Sequence, residues 1–153
     1  MSRVEDALAE LGLQVPEVAK PVAVYIPAVR SGNHVFTSGQ LPMRSGELIT
    51  TGKVGAEVTE EEAYACAQQC ALNAIAAIRA EVGDLSLVRR VVKVGVFVAS
   101  APDFTGQPKV ANGASELFGD VFGDAGRHAR AAVGVAALPL GVPVEVEAIV
   151  EMA

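Results

Sequence analysis

The stretch GRHARAAVGVAALPLGVPVEVEAIVEM, residues 126–152, holds two alternating runs separated by a Leu-Pro-Leu-Gly turn. In the first, Arg130, Ala132 and Gly134 alternate with Ala131, Val133 and Val135; in the second, Val144, Val146, Ala148 and Val150 alternate with Glu145, Glu147, Ile149 and Glu151. Successive side chains of a strand point to opposite faces, so this period of two predicts strands at 130–136 and 144–152. Arg130 falls among small apolar residues, where a guanidinium without a partner is costly. Its partner is then either Glu145 or Glu147 within the chain, or the carboxylate of a ligand, which the planar donor fork matches with two parallel hydrogen bonds. Glu145 and Glu147 share one face. If partly buried they raise each other's proton affinity, so one could hold a proton near neutral pH as a general acid or base; otherwise the face is solvated strand surface.

Working outward, RRVVKVGVFVA, residues 89–99, is rich in valine and predicts a central strand. Thr59 followed by three glutamates predicts a helix start with negative charge on the positive end of the dipole. That helix runs on through Ala67, Ala71, Ala74, Ile75, Ile78 and Val82 to a stop at Gly83. Asp103 is the expected cap of a second helix over roughly 109–122, whose first turn Pro108 weakens. Toward the N-terminus, VAVYIPAVR, the turn SGN at 31–33 and HVFTSGQL predict a hairpin over 22–38, and MRSGELITTGKVG a polar loop with a short strand. Ser2 and Glu5 form a capping-box pattern for an opening helix on Val4, Leu8 and Leu11 that stops at Gly12. Helix, two strands, long helix, strand, helix and two strands predict an α+β sandwich with helices on one side of a mixed or antiparallel sheet.

The 153 residues fit one domain, and a positive mean hydropathy with few aromatics suggests that an oligomer covers part of the surface. A formal charge of −6 without a Lys/Arg cluster argues against a nucleic-acid surface. No apolar run is long enough to span a membrane and the N-terminus lacks a secretory layout, so a cytoplasmic protein is expected. GxGxxG, P-loop and HExxH patterns are absent, which leaves dinucleotide, nucleotide triphosphate and zinc-peptidase chemistry unsupported. Cys66 and Cys70, four apart in a helix with no further ligand nearby, read as small buried side chains, and no metal is expected. His128 could add positive charge beside a ligand of Arg130, or simply be solvated in its loop. Ser38 reads as a hydrogen-bonding residue, since no base is evident to make it a nucleophile.

GNHVFTSGQLP at 32–42, VFVAS followed by Asp103 and Phe104, Asn112, and HARAAVGVAALPLGVPVEVEAIV at 128–150 resemble the RidA/YjgF family of reactive intermediate deaminases, also called endoribonuclease L-PSP-like. The resemblance runs from about Tyr25 to the C-terminus and marks a longer subgroup: a single domain over 1–153 with a helical extension at about 1–15. It implies a chorismate-mutase-like two-layer sandwich, a mixed sheet packed against two helices, assembled as a homotrimer with pockets at subunit interfaces. It further implies a hydrolase acting on C–N bonds, turning enamines and imines such as 2-aminoacrylate into 2-keto acids and ammonia without metal or cofactor. Carried over by position, Arg130 is the carboxylate anchor, Glu145 attends the hydrolytic water, and Tyr25, Ser38, Gly39 and Asn112 line the pocket. The family's Pro, Ser and Cys around the arginine are here His128, Ala131 and Ala132, so a cysteine side chain has no role, while the Ala132 carbonyl could still accept from the substrate nitrogen. The competing readings are a protein that binds or senses a small carboxylate such as a 2-keto acid without chemistry and, ranked last, an endoribonuclease or translation inhibitor.

Overall fold

Helix formation is strongest where local chemistry closes both ends of a segment. In the computed structural model, which describes residues 2–20 and 23–153, the long helix α2 spans Glu60–Val82. Thr59 Oγ1 accepts from the Glu62 amide at 3.1 Å, the Glu62 carboxylate accepts from the Thr59 amide at 3.5 Å, and Gly83 closes the other end at φ 85°. Ala67, Ala71, Ala74, Ile75 and Ile78 are buried as expected, Val82 is partly buried, and Gln69 and Asn73 are buried with them. The opening helix α1, Arg3–Glu10, is capped by Ser2 and buries Val4 and Leu8. Leu11 lies past its end and stays exposed.

The other elements in chain order are β1 (Ala28–Ser31), β2 (His34–Thr37), β3 (Met43–Arg44), β4 (Glu47–Leu48), β5 (Val88–Ala99), α3 (Gln107–Phe122), β6 (Ala129–Val135) and β7 (Val144–Met152). Five strands form a sheet in the order β1-β2-β7-β5-β6, antiparallel except for β5 against β6. That parallel pair is possible because α3 makes the crossover between its two strands. Val91, Val94, Val96 and Val98 of β5 and Val144, Val146, Ala148 and Val150 of β7 are buried in one core with α2 and α3. Lys93, Gly95 and Phe97 pair with Ile149, Glu147 and Glu145 on the opposite, uncovered face. A register irregularity between Val91 and Lys93 lets both Val91 and Val94 face the core. The fold is the expected α+β arrangement.

Two expectations need correction. Among the described residues, the hairpin does not include 23–26. It is confined to β1 and β2 around the Gly32 turn (φ 60°), while Val24 and Ile26 are exposed; Val22 lies outside the described residues. Pro27 has no amide to give to a ladder, which ends the strand there. Asp103 does not cap α3: the cap is Gly106, without a side-chain bond, and the helix starts two residues earlier than expected. Pro108 sits in the first turn, where its missing N–H costs nothing. The 43–58 loop, expected to carry a short strand, holds two very short ones, joined through Ser45 and Gly46 at φ 54° and 80°. It is fastened to the end of β5 by Val54, whose amide donates to Ala99 O at 2.8 Å and whose carbonyl accepts from Ala101 N at 2.9 Å.

Candidate functional site

Arg130 leaves β6 in register with buried Val94, which puts its side chain on the helix-covered side of the sheet at the edge strand. There α3 receives it. Arg130 Nη1 donates to Asn112 Oδ1 at 2.8 Å and to Ser115 Oγ at 3.2 Å, and Nη2 approaches the Pro108 carbonyl at 3.4 Å. Both Nη1 hydrogens are thereby engaged, and among the described residues no carboxylate pairs with the guanidinium. Nε takes part in none of these bonds, and Nε with Nη2 forms the edge whose spacing takes a carboxylate in two parallel bonds. Neither Glu145 nor Glu147 is the internal partner the strand pattern left open. They project from the other face of the sheet.

Glu145 is the centre of a second group. It is half-buried, with Glu147 two residues along the same face. Burial first, and then repulsion from Glu147, holds its carboxyl above the usual carboxylate range. Gly39 lies directly beneath it: a Cβ at that position would fall 2.1 Å from Glu145 Oε2. The Gln40 amide and carbonyl pair with Val146 at 2.8 and 3.1 Å, which brings the Ser38-Gly39 backbone alongside β7. Ser38 Oγ donates to the Ile26 carbonyl at 2.5 Å, so its hydroxyl serves as a hydrogen-bonding group that ties down the preceding segment. Tyr25, on that segment, lines a small cleft with Lys20, Gly39, Gln40 and Met43.

One chain therefore carries two clusters. Tyr25, Ser38, Gly39 and Glu145 gather at one end of β7, while Arg130 and Asn112 meet under α3. Ala132, two residues beyond Arg130 on the same face of β6, packs against the core. Two strand spacings, about 10 Å, separate β7 from β6, and the sheet itself lies between the clusters. Cys66 and Cys70 belong to neither: both are buried and free, and burial pushes their thiols up, Cys66 to about 11 and Cys70 well above its ordinary value.

Two features escape the sequence reading. Asn73 Nδ2 donates to the Leu41 and Met43 carbonyls, both at 3.0 Å, and Gln69 Nε2 donates to Asn73 Oδ1 at 3.1 Å. This buried pair on α2 anchors the loop that follows Gly39. Its signal is a polar i, i+4 pair inside a run of small apolar residues. Ser115 is the other, three residues after Asn112 and hence on the same face of α3. His128, expected beside the ligand or in solvent, instead engages both ring nitrogens, with Ser115 Oγ at 2.8 Å and the Gly126 carbonyl at 2.5 Å.

The raised proton affinity of Glu145 has a consequence for stability. A carboxyl that binds its proton more tightly in the folded than in the unfolded chain contributes stability in acid, and loses it as pH rises through the folded value. Glu145→Gln keeps the shape and removes the charge. The variant is expected to melt higher than the wild type at neutral pH, with the gap closing below about pH 4, where an unfolded-chain glutamate is itself protonated. Thermal denaturation across that pH range checks it.

Two helices on one face of a mixed sheet, with an arginine-asparagine pair at the edge, define an α+β sandwich whose other face is bare. The chain belongs to the family described as "YjgF/chorismate_mutase-like, putative endoribonuclease", which matches residues 5–152. It is 49% identical over 151 residues to Protein TCP17 of Trypanosoma cruzi, covering 98% of this chain and 94% of that one. It is 34% identical over 140 residues to the 2-iminobutanoate/2-iminopropanoate deaminase of Dermatophagoides farinae, covering 90% and 93%. Among solved structures, the Agrobacterium tumefaciens protein Atu1372 superposes with a TM-score of 0.93 at 48% identity, covering 99% of this chain and 93% of that one. Among the described residues, no helix is long and apolar enough to cross a membrane.

Proposed function

We propose that this protein hydrolyses enamines and imines of the 2-aminoacrylate type to 2-keto acids and ammonia. The observation that carries the reading is the Arg130 guanidinium, held from behind by Asn112 and Ser115 with a two-donor edge left for a carboxylate. Protonation of the enamine carbon gives the imine; water adds to the imine carbon, and ammonia leaves the tetrahedral adduct to give the keto acid. A carboxyl with raised proton affinity suits the proton transfers of the water step, which is the role we give Glu145. Kinship with a deaminase supports the reaction class.

A three-carbon acid cannot touch both clusters of one chain across the sheet, so the reading requires that a second copy complete each pocket. The uncovered face supports this. Val29 and Phe36 are paired neighbours there, exposed at 49% and 40%, and Val133, in register with Phe97, is exposed at 45%. Burying such a row is favourable at about 25 cal/mol per Å² of apolar surface. A homotrimer that seats this face against its neighbours and brings Arg130 of one copy to Tyr25, Ser38, Gly39 and Glu145 of the next is the assembly we propose. The backbone carbonyl of Ala132 is assigned to the substrate nitrogen. The net charge of −6 speaks against RNA as the substrate.

The test is release of ammonia and pyruvate from 2-aminoacrylate generated in situ by a serine dehydratase, set beside calorimetry with 2-ketobutyrate. Acceleration is expected. Binding without turnover would replace the hydrolase with a 2-keto acid sensor. Gly39→Ala supplies a sharper check, because the added methyl displaces the flexible end of Glu145 and not backbone. Its melting temperature is expected to stay close to wild type while kcat falls by about 100-fold, the lower end of the contribution of a positioned acid-base group.

A further inference from the structure

Between α3 and β6, four groups stand in line: the Gly126 carbonyl, His128, Ser115 and Arg130. The Gly126 carbonyl can only accept, so the His128 Nδ1 beside it at 2.5 Å carries a proton. In the neutral ring Nε2 is then the acceptor. Ser115 Oγ, 2.8 Å away, gives it its single hydrogen, and the serine lone pairs are turned toward Arg130 Nη1 at 3.2 Å. The ring is held from two further sides. It meets Phe118 edge-on with centroids 5.9 Å apart at 78°, and Gly126 is pressed so closely on α3 that a Cβ there would lie 2.2 Å from the Phe118 carbonyl.

A serine on a helix has another place to send its proton, the carbonyl one turn back. With the hydroxyl turned that way, Oγ would no longer be aimed at Arg130, and Nη1 would keep Asn112 alone. We propose that His128 is a positioning residue for Arg130, acting through Ser115 to keep the Nε/Nη2 edge of the guanidinium facing the ligand carboxylate. The proposal rests on the reading of Arg130 as carboxylate anchor, and it gives the histidine that precedes it by two residues a task in that site.

The test uses the assembled full-length protein with 2-ketobutyrate as probe. His128→Phe keeps the ring on Phe118 and removes both nitrogens; His128→Gln puts an amide oxygen close to where Nε2 stood. His128→Phe and Ser115→Ala are each expected to weaken binding by about threefold to tenfold, the loss of one hydrogen bond to a charged group at second hand. His128→Gln is expected to regain part of the loss, and His128→Phe added to Arg130→Ala to cost nothing further. Nitrogen NMR of the ring in alkaline buffer is expected to show the Nδ1–H tautomer, independently of any ligand. Wild-type binding by His128→Phe while Arg130→Ala binds weakly would overturn the relay and leave the anchor standing. Undiminished binding by Arg130→Ala would overturn the anchor itself. An equal loss from His128→Phe with and without Arg130, or an Nε2–H tautomer, would also overturn the relay.

Discussion

Arg130→Ala is expected to lower kcat/KM toward the enamine by about 100-fold or more, and to weaken 2-ketobutyrate binding to a similar degree. Two hydrogen bonds from a charged donor to a carboxylate are worth about 1.5 to 3 kcal/mol each, so losing both removes roughly 3 to 6 kcal/mol of substrate positioning. Little of this should appear as lost stability. The guanidinium is half-buried at the sheet edge, and its protein partners, Asn112, Ser115 and the Pro108 carbonyl, lie at the helix surface where water can replace it. Arg130→Lys separates charge from geometry: a point charge restores attraction but not the planar fork, so it is expected to recover only part of the loss. Steady-state kinetics and calorimetry on the two variants, with thermal melts as control, give the measurement. Wild-type values for Arg130→Ala would remove the carboxylate anchor from the mechanism.

What the sequence shows and what it hides divide along a physical line. The ends of α2 are legible because Thr59, Glu62 and Gly83 act within a few residues of themselves. The alternation of β6 and β7 is legible for the same reason, and it correctly puts Arg130 with Ala132 and Glu145 with Glu147. It cannot say that the face bearing Arg130 is opposite to the face bearing Glu145. That depends on which residue of β5 each strand pairs with, Val94 for Arg130 and Phe97 for Glu145, and a ladder register is set by the whole sheet. Apolar alternation likewise favours a strand at 22–26, but Pro27 interrupts the amides that a ladder needs. The Ser115–His128 contact joins a helix to a strand lead-in through tertiary packing, so no spacing rule finds it. The family resemblance puts Tyr25, Ser38, Gly39 and Asn112 in one pocket with Arg130 and Glu145, whereas within one chain Asn112 meets Arg130 and Gly39 meets Glu145.

Gly113→Ala is expected to lower the melting temperature by roughly 4 to 8 °C, and Gly119→Ala, the same change on the same helix, to leave it unchanged or raise it. The difference lies in what a methyl would meet. At Gly113 a Cβ would fall 2.1 Å from the Tyr64 backbone carbonyl on α2, whereas at Gly119 it meets nothing within 4 Å. A backbone oxygen cannot rotate away, so the two helices must separate. Overpacking of that kind costs about 3 kcal/mol, and the better helix propensity of alanine returns about 1 kcal/mol. The net of roughly 2 kcal/mol corresponds to about 2 to 4 °C per kcal/mol for a chain of this size. At Gly119 only the propensity gain remains. The displacement also reaches the site, because Asn112 is the residue before Gly113 and Ser115 is two after it. Moving α3 off α2 carries both side chains away from the 2.8 and 3.2 Å contacts that fix Arg130. Gly113→Ala is therefore expected to weaken 2-ketobutyrate binding even well below its melting temperature, while Gly119→Ala binds as the wild type does. A Gly113→Ala protein that melts lower yet binds normally would mean that Arg130 holds its orientation without α3, and the support assigned to Asn112 and Ser115 would have to be given up.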